Sequence, residues 1–199
     1  MKFLSLLFLL ALPQFAFAQA GPDLSAGLNV EYFTKLRMDY AKAPKTEFFP
    51  GWNQAPEAQA LQKAYEDGKI DEAIKLGDAW LKTCPIDADS QLLLAMCFKE
   101  KGNMNAYMYH LGIFYGLLQS ITAGKDGLTP ETAYVVVSVQ EEYSFFQEIG
   151  AKVVQQSLVS GPCDKMELSR HDGDVKFTLY FNVAIPMKAV GDAIDKESK

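Results

Sequence analysis

Residues that carry chemistry are scarce in this chain. Histidine occurs twice, as His110 and His171, and cysteine three times, and neither recurs at a metal-binding interval such as H-x-x-x-H or a doubled C-x-x-C. Zinc therefore has no support. Lysine and arginine form no cluster, and the net charge is −6. Nucleic acid and anionic membrane surfaces are held by basic side chains that release counterions, so both are excluded as partners. The G-x-x-x-x-G-K-[ST] phosphate loop and the G-x-S-x-G nucleophile elbow are missing, and Gly124-Lys125-Asp126-Gly127 reads as a turn. Asp172-Gly-Asp174 opens like a calcium loop, but the twelfth position is Val183, where a bidentate glutamate is required. A Cys163 and His171 dyad fails on reach, because eight residues of extended strand span roughly 26 Å. No cofactor, metal ion or catalytic residue is expected.

What the chain does have begins at its N-terminus. Met1-Lys2, the apolar run Phe3 to Leu12, the break at Pro13 and Ala16-Phe17-Ala18 have the layout of a cleavable secretory signal over residues 1–18. The run is about half the roughly 20 residues that span a bilayer, so no stable membrane anchor is expected after cleavage. No cysteine follows the cut to accept a lipid, and losing Lys2 moves the net charge from −6 to −7. The expected address is periplasmic or secreted. An oxidising compartment permits one disulfide among Cys84, Cys97 and Cys163. Cys97 would lie about 13 Å along a helix that begins at residue 88, beyond the reach of Cys84. Cys84 with Cys163 is the favoured bridge, and three free buried thiols are the alternative.

Asn29 can cap a helix to about Ala41, whose stripe of Val30, Phe33, Leu36 and Tyr40 is interrupted by Arg37. From Lys42 to Pro56 the chain is too proline-broken for a helix, and its Phe48-Phe49-Pro50-Gly51-Trp52 core is expected to pack across the helical layer or to form an aromatic surface patch. Helical periodicity resumes at Glu57. The helix after Asn103 is apolar nearly all round, from Tyr107 and Met108 to Leu118 and Ile121, and is expected to be buried between layers. Tyr134 to Val139 is short and β-branched, and Ser138-Val-Gln-Glu141 has the form of a capping box that starts a helix to Ile149; a single helix from Pro130 is the competing reading. Glu141 and Glu142 fall in its first turn, where the helix dipole explains them. Lys152–Val159, Cys163–Arg170 and Val175–Val183 read as strands, with Val175, Phe177, Leu179, Phe181 and Val183 on one face and His171–Asp174 as a hairpin turn.

Gly68 in Glu66-Asp67-Gly68-Lys69, Ala73 and Pro85, followed by Gly102 in the next turn 34 residues on, keep the intervals of a tetratricopeptide repeat. Leu94, Ala95 and Phe98 match positions of the following first helix, whereas Ala64 and Tyr107 depart from the pattern. Residues 57–115 therefore resemble two such helical hairpins, fewer than the three that stand alone. The export signal, the hairpins and the dispersed residues Val137-Ser-Val-Gln-Glu-Glu-Tyr143, Gln156-Ser-Leu158, Cys163-Asp-Lys-Met166 and Leu179-Tyr-Phe-Asn-Val183 together resemble an uncharacterised family of exported bacterial proteins known only as a domain of unknown function. That resemblance implies a fold and an address and no activity.

The expected fold is α+β: helical hairpins over residues 19–128 packed on a small antiparallel β-rich subdomain over 129–187, then a loosely ordered tail over 188–199. In tetratricopeptide repeats the first helix of each hairpin lines a groove, and the matching positions here are Gln62, Tyr65, Glu66, Met96, Lys99 and Glu100. An aromatic, a thioether and charges of both signs suit a protein or peptide partner. The other expectation is a small-molecule or hydrolytic site between helices and sheet near His110 and Glu141. His110 alone on an apolar helix reads more readily as a hydrogen-bonded core residue.

Overall fold

The computed structural model describes residues 28–43, 51–159, 161–170 and 175–197, with side chains as far as residue 191. The expected signal segment 1–18, Phe48-Phe49-Pro50 and the turn expected at His171–Asp174 lie outside the described residues. Helix α1 (Val30–Ala41) starts where Asn29 Oδ1 accepts the Tyr32 amide at 2.9 Å. Next come a single 3₁₀ turn (Trp52–Gln54), α2 (Pro56–Glu66), α3 (Ile70–Thr83), α4 (Ala88–Glu100) and α5 (Met104–Thr122). Trp52 is buried in the main core, so the described end of the proline-broken segment does pack across the helices.

The turns after α2 and α4 are copies of one another. In the first, the amide of Lys69 donates to Ala64 O and that of Gly68 to Tyr65 O; in the second, Asn103 donates to Phe98 O and Gly102 to Lys99 O. Both glycines have φ of 72°, which a side chain would strain, and this bond pair closes a helix end by satisfying its last carbonyls. Asp87 joins the two hairpins. It caps α4 through the Ser90 amide at 3.2 Å and accepts Trp80 Nε1 of α3 at 2.7 Å. Leu61 and Ala64 of α2, Ala73 of α3 and Cys97 of α4 close a small core between them.

The long helix α5 corrects one expectation. Its fully buried residues all lie in the C-terminal half, from Ile113 to Ile121, where Tyr115 is still exposed, and Met104, Met108 and Tyr109 stand exposed in the other half. At Gly116 a Cβ would stand 2.1 Å from the Phe33 ring, so the α1 crossing requires glycine there.

After α5 come β1 (Tyr134–Val135), α6 (Val139–Glu148), β2 (Ala151–Val159), β3 (Cys163–Arg170), β4 (Lys176–Asn182) and α7 (Ala184–Glu197). The sheet order is β1-β4-β3-β2. Three strands are antiparallel, with Ala151 opposite Arg170 and Cys163 opposite Asn182, but β1 runs parallel to β4, pairing Tyr134 with Phe181. The sheet is thus mixed and not purely antiparallel, because β1 enters from the helical layer in the direction of β4. Helices and sheet share one core, from Phe33 and Trp80 to Leu168 and Phe181. The fold is α+β. The last strand buries Leu179, Phe181 and Val183 as its alternation implies, while Val175 is exposed at its open end.

Two further expectations change. Residues 188–199 are not a loose tail as far as Glu197: α7 starts where Asn182 Oδ1 accepts the Ala184 amide at 3.1 Å, and Pro186 sits in the first turn, where a missing amide costs little. Cys84, Cys97 and Cys163 are all free and buried, so the expected Cys84–Cys163 bridge does not form. Cys84 ends α3 in the main core, Cys97 lies in the hairpin core and Cys163 opens β3.

Arg37, the interruption in the α1 stripe, is fully buried. Its Nε and Nη2 grip the Glu141 carboxylate of α6 at 2.7 and 2.5 Å, Nη2 also donates to Val135 O at 2.7 Å, and Nη1 reaches Ser120 Oγ at 3.3 Å. Glu141 Oε2 accepts the Val137 amide at 2.8 Å, so the capping glutamate faces inward. Arg37→Met, which leaves that carboxylate buried without a cation, is expected to cost about 3–5 kcal/mol in urea denaturation, and Arg37→Met with Glu141→Leu to recover at least half of it. Recovery is the informative outcome; a double variant no more stable than the single one would deny that unpaired charge is the cause.

Candidate functional site

The six expected partner residues fall on the exposed ends of α2 and α4. Gln62 Nε2 donates to Glu66 Oε1 at 2.8 Å, so this pair is held within α2. Tyr65 lays its ring on the hairpin core, and burial together with a hydrogen bond to Glu100 of α4 raises its phenol pKa. Lys99 Nζ lies 5.7 Å from the centre of the Tyr107 ring, Glu100 is exposed and Met96 is half-buried. The structure therefore brings Tyr65 and Glu100 together across the two hairpins and pairs Lys99 with α5.

His110 and Glu141 do not form a pocket. His110 Nδ1 is 2.8 Å from Gln91 Oε1, its ring stacks on Phe98 at 5.3 Å, and burial lowers its pKa, so it is a neutral, packed imidazole at pH 7. Glu141 is occupied by Arg37. Neither lines the groove beside the start of α6.

This groove, with a cavity of about 610 Å³, runs between the start of α6, the paired ends of β2 and β3, and α7, with Gly51 at its edge. Val139 opens α6 on one side, held by the Ser138 cap, whose side chain accepts the Gln140 amide. Leu158 lies near the end of β2, directly across from Asp164 of β3. Val183 and then Pro186, Met187 and Val190 of α7 supply the far wall, and among the described residues Asp164 is the one ionisable side chain lining it. Asp89 of α4 fixes α6 in place by accepting Gln140 Nε2 at 2.6 Å and Ser144 Oγ at 2.7 Å.

Behind this wall stands a second acid. Glu142 is fully buried, and among the described residues neither of its carboxylate oxygens has a hydrogen-bond partner. Burial, followed by the nearby Asp164 and Glu141 carboxylates, pushes its pKa up to about 8. Asp164 is also raised by burial, against the pull of Gln156, whose Nε2 donates to its Oδ2 at 2.7 Å. Cys163 beside them is no nucleophile, since burial first and Asp164 next raise its thiol pKa. Among the described residues no group of three His, Cys, Asp or Glu is placed to hold a metal ion.

Glu142 departs from the expected solvated first-turn acid, and two signals for it were present. It lies four residues before the buried Phe146, on the same helix face, and Asp164 shares strand phase with Met166 and Leu168. An acid in an inward phase marks a buried charge that needs an explanation. The groove walls carry no such mark, because Leu158 and Met187 are ordinary surface residues until α7 folds beside the sheet.

A family model for DUF4919, a domain of unknown function, matches residues 28–190. No curated protein and no solved structure matches the chain.

Because the folded-state pKa of Glu142 lies above its ordinary value, the native state favours the protonated acid. Its contribution is complete below the ordinary value of 4.5 and is lost as pH rises through about 8. Glu142→Gln is expected to gain on the wild type by on the order of a few kcal/mol between pH 5 and pH 9. Urea denaturation of both proteins at the two pH values checks this; an equal difference at each would mean that Glu142 does not titrate with folding.

Proposed function

This chain belongs to the DUF4919 family, a domain of unknown function, and from that premise we propose that it is a non-enzymatic, secreted or periplasmic interaction module. A protein or peptide partner lies across the first helices of two tetratricopeptide-like hairpins, α2 and α4. The signal-like layout of residues 1–18 supports the address. Support for the hairpins comes from the paired turns at Gly68 and Gly102, which repeat the same backbone bonds 34 residues apart. The observation that carries the reading is the direct packing of α2 on α4, where Leu61 and Ala64 share a core with Cys97 and Tyr65 lies against it, which makes one continuous surface of the two first helices.

Within that surface Tyr65 and Met96 are the anchors, an aromatic ring and an adaptable thioether, and Gln62, Glu66, Lys99 and Glu100 form the polar rim. The first two should therefore dominate affinity. Capture from the host envelope with the wild-type protein, followed by titration of the purified partner, is expected to show at least tenfold weaker binding for Tyr65→Ala with Met96→Ala and an unchanged circular dichroism spectrum. Full affinity in a folded double variant would place the partner elsewhere.

A further inference from the structure

The groove beside α7 lies apart from the α2 and α4 surface and combines two features that are rarely neighbours. Its walls are apolar, with Val139, Leu158, Met187 and Val190 all at least 41% exposed. Among the described residues its one ionisable lining group is Asp164, 6% exposed, and the nearby buried Glu142 has no hydrogen-bond partner. Glu142 follows Val139 by one helical turn of α6; Val139 lines the groove and Glu142 is fully buried. The titratable groups that face it are Asp164 and Cys163 from β3 and Glu141 from its own helix. Of these, Glu141 is already neutralised by Arg37, whereas Asp164 has only the amide of Gln156.

We propose that this groove binds a small organic cation with an apolar body, an alkylammonium ion, whose chain lies along Val139, Leu158, Met187 and Val190 and whose charged end sits beside Asp164 with Glu142 behind it. The ligand supplies what the fold omits. Buried polar groups without partners cost free energy, and a buried carboxyl with no donor on either oxygen is explained by a cation that reaches it. A bare metal ion fits poorly, because hard cations take six or more oxygen ligands and the walls are hydrocarbon. An anion would meet two carboxyls. A purely apolar ligand would leave the acid pair unused.

The proposal carries a specific consequence. A positive charge beside Glu142 favours its ionised form, so binding near pH 7 transfers the Glu142 proton to the buffer while the ammonium keeps its own. Isothermal titration of the purified protein with n-hexylamine and with n-hexanol, each in two buffers of different ionisation enthalpy, reads both affinity and proton release. The amine is expected to bind at least tenfold more tightly than the alcohol and to release up to about one proton per site, and the alcohol none. Glu142→Gln is expected to bind the amine without proton release, and Asp164→Asn to lose the amine preference. Equal affinity for amine and alcohol would make the groove a plain apolar surface and overturn the proposal, as would no binding of either. Release that persists unchanged in Glu142→Gln would overturn the part played by that residue.

Discussion

A guanidinium sealed among apolar side chains persists only where every direction it points in is answered, and the Arg37 site dictates how the rest of this molecule meets. Its donors reach α6 through Glu141, β1 through Val135 O and α5 through Ser120. Helix α1 is therefore held to three elements that lie more than 80 residues further along the chain. The pair is not a large net source of stability, because two ions must lose their water to form it. It is a constraint of position: a shifted α6 would strand one charge or the other in the core.

That constraint propagates outward. With α6 fixed by Glu141 on one face and by Asp89 of α4 on another, its first turn has one orientation, and Val139 and Glu142 are turned toward the open end of the sheet. The α7 helix closes that end, started by Asn182 as the chain leaves β4. The groove therefore exists because a helical layer holds a helix from outside while the last strand returns another beside it. The hairpins reach their own arrangement locally, through two identical glycine turns and the Asp87 cap, and meet the sheet only through the shared core.

Legibility in the sequence followed the range of the interaction. Asn29, Asn103 and Ser138 cap the helices that begin beside them, Gly68 and Gly102 close the ones before them, and Cys163–Arg170 is a strand to the residue. Each rests on contacts within a few residues. The parallel pairing of β1 and the half-exposed α5 depend on partners more than 40 residues away or on which face a neighbour covers, and no local pattern carries that, whereas the helix in place of the tail starts on the local Asn182 cap and Pro186. Of the expected partner residues, the 34-residue interval relates Gln62 to Met96, Tyr65 to Lys99 and Glu66 to Glu100, and the meeting of Tyr65 with Glu100 depended on how the two hairpins pack.

By itself the sequence determined the helices and strands, their caps, the repeated turns and the exclusion of metal and phosphate motifs, because propensity, capping and spacing act over a single turn or strand. Only the tertiary structure decided the fate of the charges. Read along the chain, Arg37 interrupts an apolar stripe and Glu141 and Glu142 are first-turn acids, and whether such an ion is wet, paired or stranded is set by what long-range packing brings against it. Glu141 met a cation across 104 residues and Glu142, next to it, met no hydrogen-bond partner among the described residues. Adjacent glutamates in one helical turn acquired opposite roles because a turn of α-helix sends neighbouring side chains to different faces, and those faces were built by different parts of the chain.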